Sequence, residues 1–431
     1  MKEESIKYPG FRWFVAITYV VVIISSALSL ISIAPLLGDV AKTIGQDIGV
    51  TAGLVMSTFN LFVAFGAIAG GVIIDKFGVI RTWFGALTLL IIGSLLTPFL
   101  GNTGTGMTII RVIQGAGTGP IMGCCAALAA QWFPKNERGI LTGMQGLSMG
   151  AGVAIGTIIG PLLAHATGDW KIGLACEAGI SLVALIMVIV VAIGPKPPVV
   201  EDISPNNTSH DLAKTAIDFK TAMFQPATLG TLAVCFALSW VFQAMGDLTP
   251  SYLAIDPPVG LGKGNLLAGS IYSTFSIAFM VGAVASGFVT TKLFKGKSRN
   301  TIIIGFIVSA ITIYGLNVSA IFSEQGTLIF DLIICGLFMS MVQPPAYAFI
   351  ATCYPEHVTG KVGGTIVGLS IFGGVGGATA GAYFLHATGH YFMGVNIMVL
   401  VSLLGIIGAI FIKTPKIYQS INENSAENIQ Q

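Results

Sequence analysis

His165-Ala166-Thr167-Gly168 recurs 221 residues on as His386-Ala387-Thr388-Gly389. The match runs outward in one gapless register. Pro134, Gly139, Gly143, Gly156, Gly160 and Gly173 meet Pro355, Gly360, Gly364, Gly377, Gly381 and Gly394. Nearer the start, a shift of 216 residues lays Ser57-Thr58-Phe59 on Ser273-Thr274-Phe275. It also lays Gly66, Ala67, Ala69, Gly71 and Lys76 on Gly282, Ala283, Ala285, Gly287 and Lys292. Self-similarity at a fixed period means that one structural unit occurs twice in tandem.

Each copy is a set of apolar stretches long enough to cross a bilayer, which takes about 20 residues as a helix. They read as 13–37, 51–74, 82–100, 107–131, 140–164 and 171–194, then 228–252, 265–290, 301–322, 327–352, 362–386 and 391–412. The fold class is therefore an all-α membrane protein with twelve transmembrane helices in two pseudo-symmetric six-helix halves. The halves are 1–194 and 226–415. Between them, 195–225 holds Pro195, Pro197, Pro198 and the polar run Ser204–Ser209, which reads as a linker ending in an interfacial helix near Asp211–Phe224. A polar tail follows from 416 to 431.

Composition agrees. Hydrophobic residues make up 54% and charged residues 9%, against roughly 25% charged in a soluble protein. Too little charge is present to cover a soluble surface. The net charge of +2 gives no basic field for nucleic acid. The 55 glycines suit close packing of helices in lipid. Six cysteines lie in or beside apolar segments without metal-ligand spacing, so they read as small packing residues. No metal or cofactor site is expected. The first apolar stretch is too long for the core of a signal peptide.

Numbering the loops gives an orientation. Lys42, Lys171 and Lys263 fall on one side and Arg111 inside a span. Every other lysine and arginine falls on the side of the termini. The positive-inside rule places that side in the cytoplasm, and an odd number of spans would spoil the separation. The expected location is a bacterial cytoplasmic (inner) membrane.

Three motifs carry a resemblance. Gly71-Val-Ile-Ile-Asp75-Lys76-Phe-Gly78-Val-Ile-Arg81 joins spans 2 and 3, Arg111-Val-Ile-Gln114-Gly115-Ala-Gly117 lies in span 4, and Gly156-Thr-Ile-Ile-Gly160-Pro161 lies in span 5. With the span count, linker and repeat, the whole chain resembles the major facilitator superfamily of secondary transporters. The run Trp132–Gly139 resembles its anion–cation symporter and organic-acid branches. The resemblance implies alternating access about a site between the halves. It also implies a cytoplasmic latch formed by Gly71, Asp75, Lys76, Gly78 and Arg81. The second copy, with Thr291 at the place of Asp75, lacks the acid. The family's full helix 5 motif accompanies proton-exchanging exporters. Here only the closing Gly-x-x-x-Gly-Pro is present, and Gly156, Gly160 and Pro161 read equally as packing residues.

A charge inside a span costs roughly 2.5–3.5 kcal/mol on insertion scales and marks function by default. Arg111 is a permanent cation whose planar fork can grip a carboxylate, with a structural tie as the alternative. Asp331, Asp247 and Glu177 are candidates for proton coupling. Asp331 is one residue from the counterpart of Arg111, so the two could pair across a cavity. Asn60, Gln114, Trp240, Gln243, Tyr272, Gln343 and Tyr347 are candidate substrate contacts, since aromatic bodies with polar tips suit a small amphipathic ligand. Pro344-Pro345 should kink span 10 beside them. His165, His386 and His390 read as solvated or capping residues near the outer boundary.

The cation in span 4 favours a small organic anion, moved with protons or against a counter-substrate by a monomer in lipid. The alternative is a proton-coupled efflux pump for amphipathic compounds. A membrane-embedded enzyme is disfavoured, because no nucleophile–base pair, metal cluster or phosphate loop appears.

Overall fold

A computed structural model describes residues 9–134, 137–198, 219–354 and 356–413. Among these residues there are helices and no strands. Most of the linker and the tail lie outside them.

The N-terminal half runs α1 (Arg12–Ile44), α2 (Ile48–Phe77), α3 (Val79–Leu100), α4 (Gly104–Met122, then Cys124–Trp132), α5 (Arg138–Thr167) and α6 (Trp170–Ile193). The C-terminal half runs α7 (Pro226–Ala254), α8 (Asn265–Leu293), α9 (Ser298–Gly315), α10 (Gln325–Met339, then Gln343–Cys353), α11 (Glu356–Thr388) and α12 (Phe392–Ile410). Eleven of these, among the described residues, are apolar enough to be recognised as spans by hydropathy. The exception is α4, whose Arg111, Gln114 and glycines dilute its apolar character. It packs along both α2 and α3, so it shares their depth.

Those glycines are what let α4 fit. A side chain on Gly115 would sit 2.6 Å from the carbonyl oxygen of Phe59 in α2, and one on Gly117 would sit 2.7 Å from that of Ala86 in α3. Backbones this close exchange dispersion contacts that lipid cannot supply. α4 and α10 both break near the same level. The first breaks at Gly123 after Pro120, the second at Ser340–Val342 just before Pro344-Pro345. A proline removes one ladder hydrogen bond and crowds the preceding turn, which explains the break before Pro344-Pro345.

Two boundaries differ from the sequence reading. α1 does not stop at Leu37. After a short tight turn at Ala34–Leu36 it resumes as Leu37–Ile44, with Asp39 and Lys42 on it. α9 ends at Gly315, and Ser319–Phe322 forms a separate single turn.

Among the described residues the contacts between the halves gather at one rim. At the outer rim, opposite the ends of the described chain, the start of α2 packs on the end of α11, α8 packs on α5, and the outer part of α1 packs on α7. Gly38 meets Ile255, and Gly269 of α8 lies against the carbonyl of Thr157 in α5. Towards the inner rim the same four helices part. Gly71, Gly143, Gly146, Gly287, Gly364 and Gly368 have open space where a side chain would be. Val72, Val284 and Phe288 are 68%, 69% and 68% exposed. The structure is closed at the outer rim and open at the inner one.

Candidate functional site

Arg111 is 2% exposed and lies where α1, α2 and α4 meet. Its Nε donates to the carbonyl of Val55 at 2.8 Å, in a widened turn of α2 at Gly53–Ser57. Nη1 donates to the carbonyl of Ser29 at 2.8 Å and to Oε1 of Gln114 at 2.9 Å, and Nη2 donates to the carbonyl of Leu30 at 3.2 Å. The guanidinium lies 4.1 Å from the centre of the Phe59 ring. The first helical segment of α1 ends at Ile31, so Ser29 and Leu30 belong to its last turn. Last-turn carbonyls have no partner within the helix and carry the negative end of its dipole. A buried cation is a strong cap for them. Gln114 extends the tie to α3 by donating to Ser94 Oγ at 3.3 Å.

Two carboxyl groups lie within electrostatic reach of this cation, Asp247 and Glu177. Glu177 is 5% exposed and sits where α6 breaks between Cys176 and Ala178. Its Oε2 accepts from Ser32 Oγ at 2.7 Å, while Oε1 is buried without a partner. Arg111 and Glu177 share a cavity of about 10 Å³ with Ser29, Ser32, Thr97 and Gln114, room for one water at most.

Asp247 is 1% exposed and belongs to the other half. Its Oδ2 accepts from Nδ2 of Asn60 in α2 and its Oδ1 from Nε2 of Gln243, both at 3.0 Å. Asn60 Nδ2 also donates to the carbonyl of Met56 at 3.0 Å. The hydroxyl of Tyr272 is buried without a partner near Gly246 and is acted on by the charge of Asp247.

The remaining expected residues scatter. Asp331 does not meet Arg111. It is wedged against Gly315, between α9 and α10, with Oδ2 buried and unpartnered. The near coincidence in the repeat placed the two at similar depth, but residues one position apart on a helix face about 100° apart, and Asp331 turns to its own half. Gln343 donates to the hydroxyl of Tyr347 at 3.0 Å. Trp240 packs on Gly376 of α11. Gly156 and Gly160 are the points where α5 rests on α1, against Leu28, Ile31 and Ser32, and Pro161 follows inside α5. Asp75, Lys76 and Arg81 are exposed, and among the described residues Asp75 has no bond or ion pair. Gly71 faces open space and Gly78 holds a positive φ of 81° at the turn into α3.

Ser29, Leu30, Val55 and Phe59, which hold Arg111, were not among the expected residues. Carbonyl groups leave no mark in a sequence. His386 is exposed near the outer boundary, as expected of a solvated residue, and it also makes a contact there. It lies 3.1 Å from Asp47 across the outer rim.

Two tandem six-helix halves, closed at the outer rim, with charge buried where they meet, are the architecture of a membrane transporter. The chain belongs to the Major Facilitator Superfamily, whose family model matches residues 15–378 and 260–427. It is a transporter and not an enzyme. It is 22% identical over 365 residues to the hexuronate transporter of Bacillus subtilis (strain 168), covering 81% of this chain and 83% of that protein. In structure it is similar to a bacterial homolog of the human lysosomal transporter Spinster in an inward-facing, unoccupied conformation, with TM-score 0.74 and 11% identity. It is also similar to a D-xylose-proton symporter, with TM-score 0.72 and 15% identity. Each match covers 94% of this chain and 97% of the other.

Proposed function

We propose that this transporter carries a small organic anion of the carboxylate type, coupled to protons, with the inner rim facing the cytoplasm. The observation behind the coupling is the buried cluster. One permanent cation, Arg111, faces two carboxyl groups, Glu177 and Asp247, all at or below 5% exposure. Three ionised groups would leave one buried negative charge unbalanced, which is costly away from water. A neutral cluster holds one proton, and that proton is available to exchange as the halves rock. The likeness to a hexuronate transporter, named for a sugar acid, supports the substrate class. The surplus of basic residues at the termini and inner loops supports the orientation.

The bonds of Arg111 refine its role. Four of its five N–H groups are engaged. It acts on an anion through its field and by fixing α1 and α2, rather than as a free fork. Gln243, Gln343 and Tyr347 are the proposed direct contacts. Arg111→Lys cannot reach three carbonyls and a glutamine at once, so it should lower the melting temperature as well as anion affinity. Unchanged values for both would remove Arg111 from the mechanism.

The test uses proteoliposomes and a panel of sugar acids and small carboxylates, with neutral sugars and amphipathic cations as comparison. Wild type should accumulate one carboxylate class when a pH gradient is imposed. Glu177→Gln or Asp247→Asn should abolish gradient-driven accumulation and keep exchange between equal pools. Accumulation of amphipathic cations alone, or accumulation indifferent to the pH gradient, would overturn the reading.

A further inference from the structure

Three side-chain hydrogen bonds join the two halves among the described residues, and each has an aspartate as acceptor. Asn265 Nδ2 donates to Asp39 at 2.6 Å, His386 Nδ1 contacts Asp47 at 3.1 Å, and Asn60 donates to Asp247 at 3.0 Å. The first two lie at the exposed outer rim. The third is buried at the level of the charge cluster. We propose that the Asn60–Asp247 bond is the inner bolt of the outer gate, and that Asn60 is the positioning residue through which the charge state of the cluster decides whether the outer rim stays shut. The proposal rests on the transporter reading and needs no particular substrate.

The geometry supports this in three ways. Asn60 has both N–H groups committed, one to its own helix at Met56 and one to Asp247. It therefore presents a donor across the interface. Gln243 stands one turn before Asp247 on α7 and travels with it, so the bond to Asn60 is the one that must break when the halves part. Finally, the outer part of α7 beyond Asp247 is buried almost without interruption to Ala254 and packs on the turn Ala34–Leu36 of α1. Release at Asp247 frees that whole contact. The titratable and charged groups that face Asp247 are few. They are Arg111 from α4, with Glu177 of α6 behind it, and the unpartnered hydroxyl of Tyr272 from α8. Asn60 faces it from α2 without charge.

A cysteine at Ala34, which is fully buried at the closed rim, reports the gate. The full-length chain, with its six native cysteines replaced, is placed in nanodiscs and labelled with a maleimide. Losing a buried hydrogen bond to a charged group should raise the labelling rate of Asn60→Ala on the order of tenfold. Asn60→Asp sets two carboxyl groups face to face, so it should label fast at neutral pH and slow down on acidification, when one proton can be shared. If Asn60 only fills space, Asn60→Ala lowers the melting temperature and labels at the parental rate, and Asn60→Asp labels without pH dependence. That result overturns the proposal. Should Asn60→Asp fail to fold, Asn60→Ala and Asn60→Ser decide it through the rate alone. Labelling uses no transported solute, so a wrong choice of substrate or coupling leaves this result standing.

Discussion

The two crossings that close the outer rim are related by the internal repeat, yet they are held differently. At the first, α2 meets α11. Asp47 caps α2, accepting from the backbone N–H groups of Gly49 at 2.8 Å and Val50 at 3.2 Å, and pairs with His386. At the second, α8 meets α5. The repeat lays Lys263 on Asp47 and His165 on His386, and among the described residues no bond joins Lys263 to His165. Two basic groups give no attraction there. That crossing is held instead by the backbone approach of Gly269 to Thr157 and by the neighbouring Asn265–Asp39 bond. A duplicated fold thus keeps its helix packing while its polar contacts diverge. One crossing pairs an acid with a histidine, and the other has a lysine and a histidine at the same places.

The largest effect should come from the backbone contacts that both crossings share. Gly49 lies against the backbone of His386 as Gly269 lies against Thr157. Gly269→Val or Gly49→Val leaves no room for closure, and overpacking of this kind costs about 1–3 kcal/mol or more. Transport should fall by roughly tenfold or more, with faster maleimide labelling at the Ala34 position. Equal transport in both variants and wild type would mean that the rim does not close this way.

A smaller effect should follow from giving the second crossing the chemistry of the first. Lys263→Asp places an acid opposite His165. Exposed pairs are worth about 0.2–1 kcal/mol, up to about fivefold in an equilibrium. The variant should gain a pH-dependent slowing of labelling that wild type lacks at this crossing. An unchanged pH profile would show that the two crossings differ in distance as well as charge.

The smallest effect belongs to the existing pair, whose members are half exposed. Burial by itself would raise the Asp47 carboxyl. The contact with His386 and the N–H groups of Val50 and Gly49 outweigh it and hold the carboxyl below its ordinary 3.8. A depressed carboxyl adds stability above its unpaired pKa, and that stability is lost as pH falls through the lower, paired value. Closure at this crossing should therefore weaken as pH falls through the paired value of the Asp47 carboxyl. His386→Ala removes one of the contacts that hold the Asp47 carboxyl down, so it should weaken the acid response of the labelling rate and change its value only a few-fold. A full pH response in that variant would move the sensor elsewhere.

The architecture was legible because its signals are local or periodic. Apolar length set the spans, and the repeated His-Ala-Thr-Gly set the two halves. The polar composition that hides α4 from a hydropathy scale is the same Arg111, Gln114 and glycine set that marks it as a motif. The candidate site was legible only as a list. Arg111, Glu177 and Asp247 stood out as charges in apolar spans. Their grouping could not be read, nor could the separation of Asp331 from them, because both depend on which face each helix turns inward. The carbonyls that hold Arg111 and the partnership of Asn60 with Asp247 join positions 56 to 187 residues apart.

The sequence by itself determined that this is a membrane protein of two repeated halves with a few costly charges inside it. A bilayer forces backbone bonds to be made within each helix, so length and composition suffice for that much. Tertiary structure alone decided which rim is closed, which charges share a cluster, and which hydrogen bonds must break for the halves to part. Those outcomes follow from helix rotation and close packing between distant segments, and no local rule fixes either.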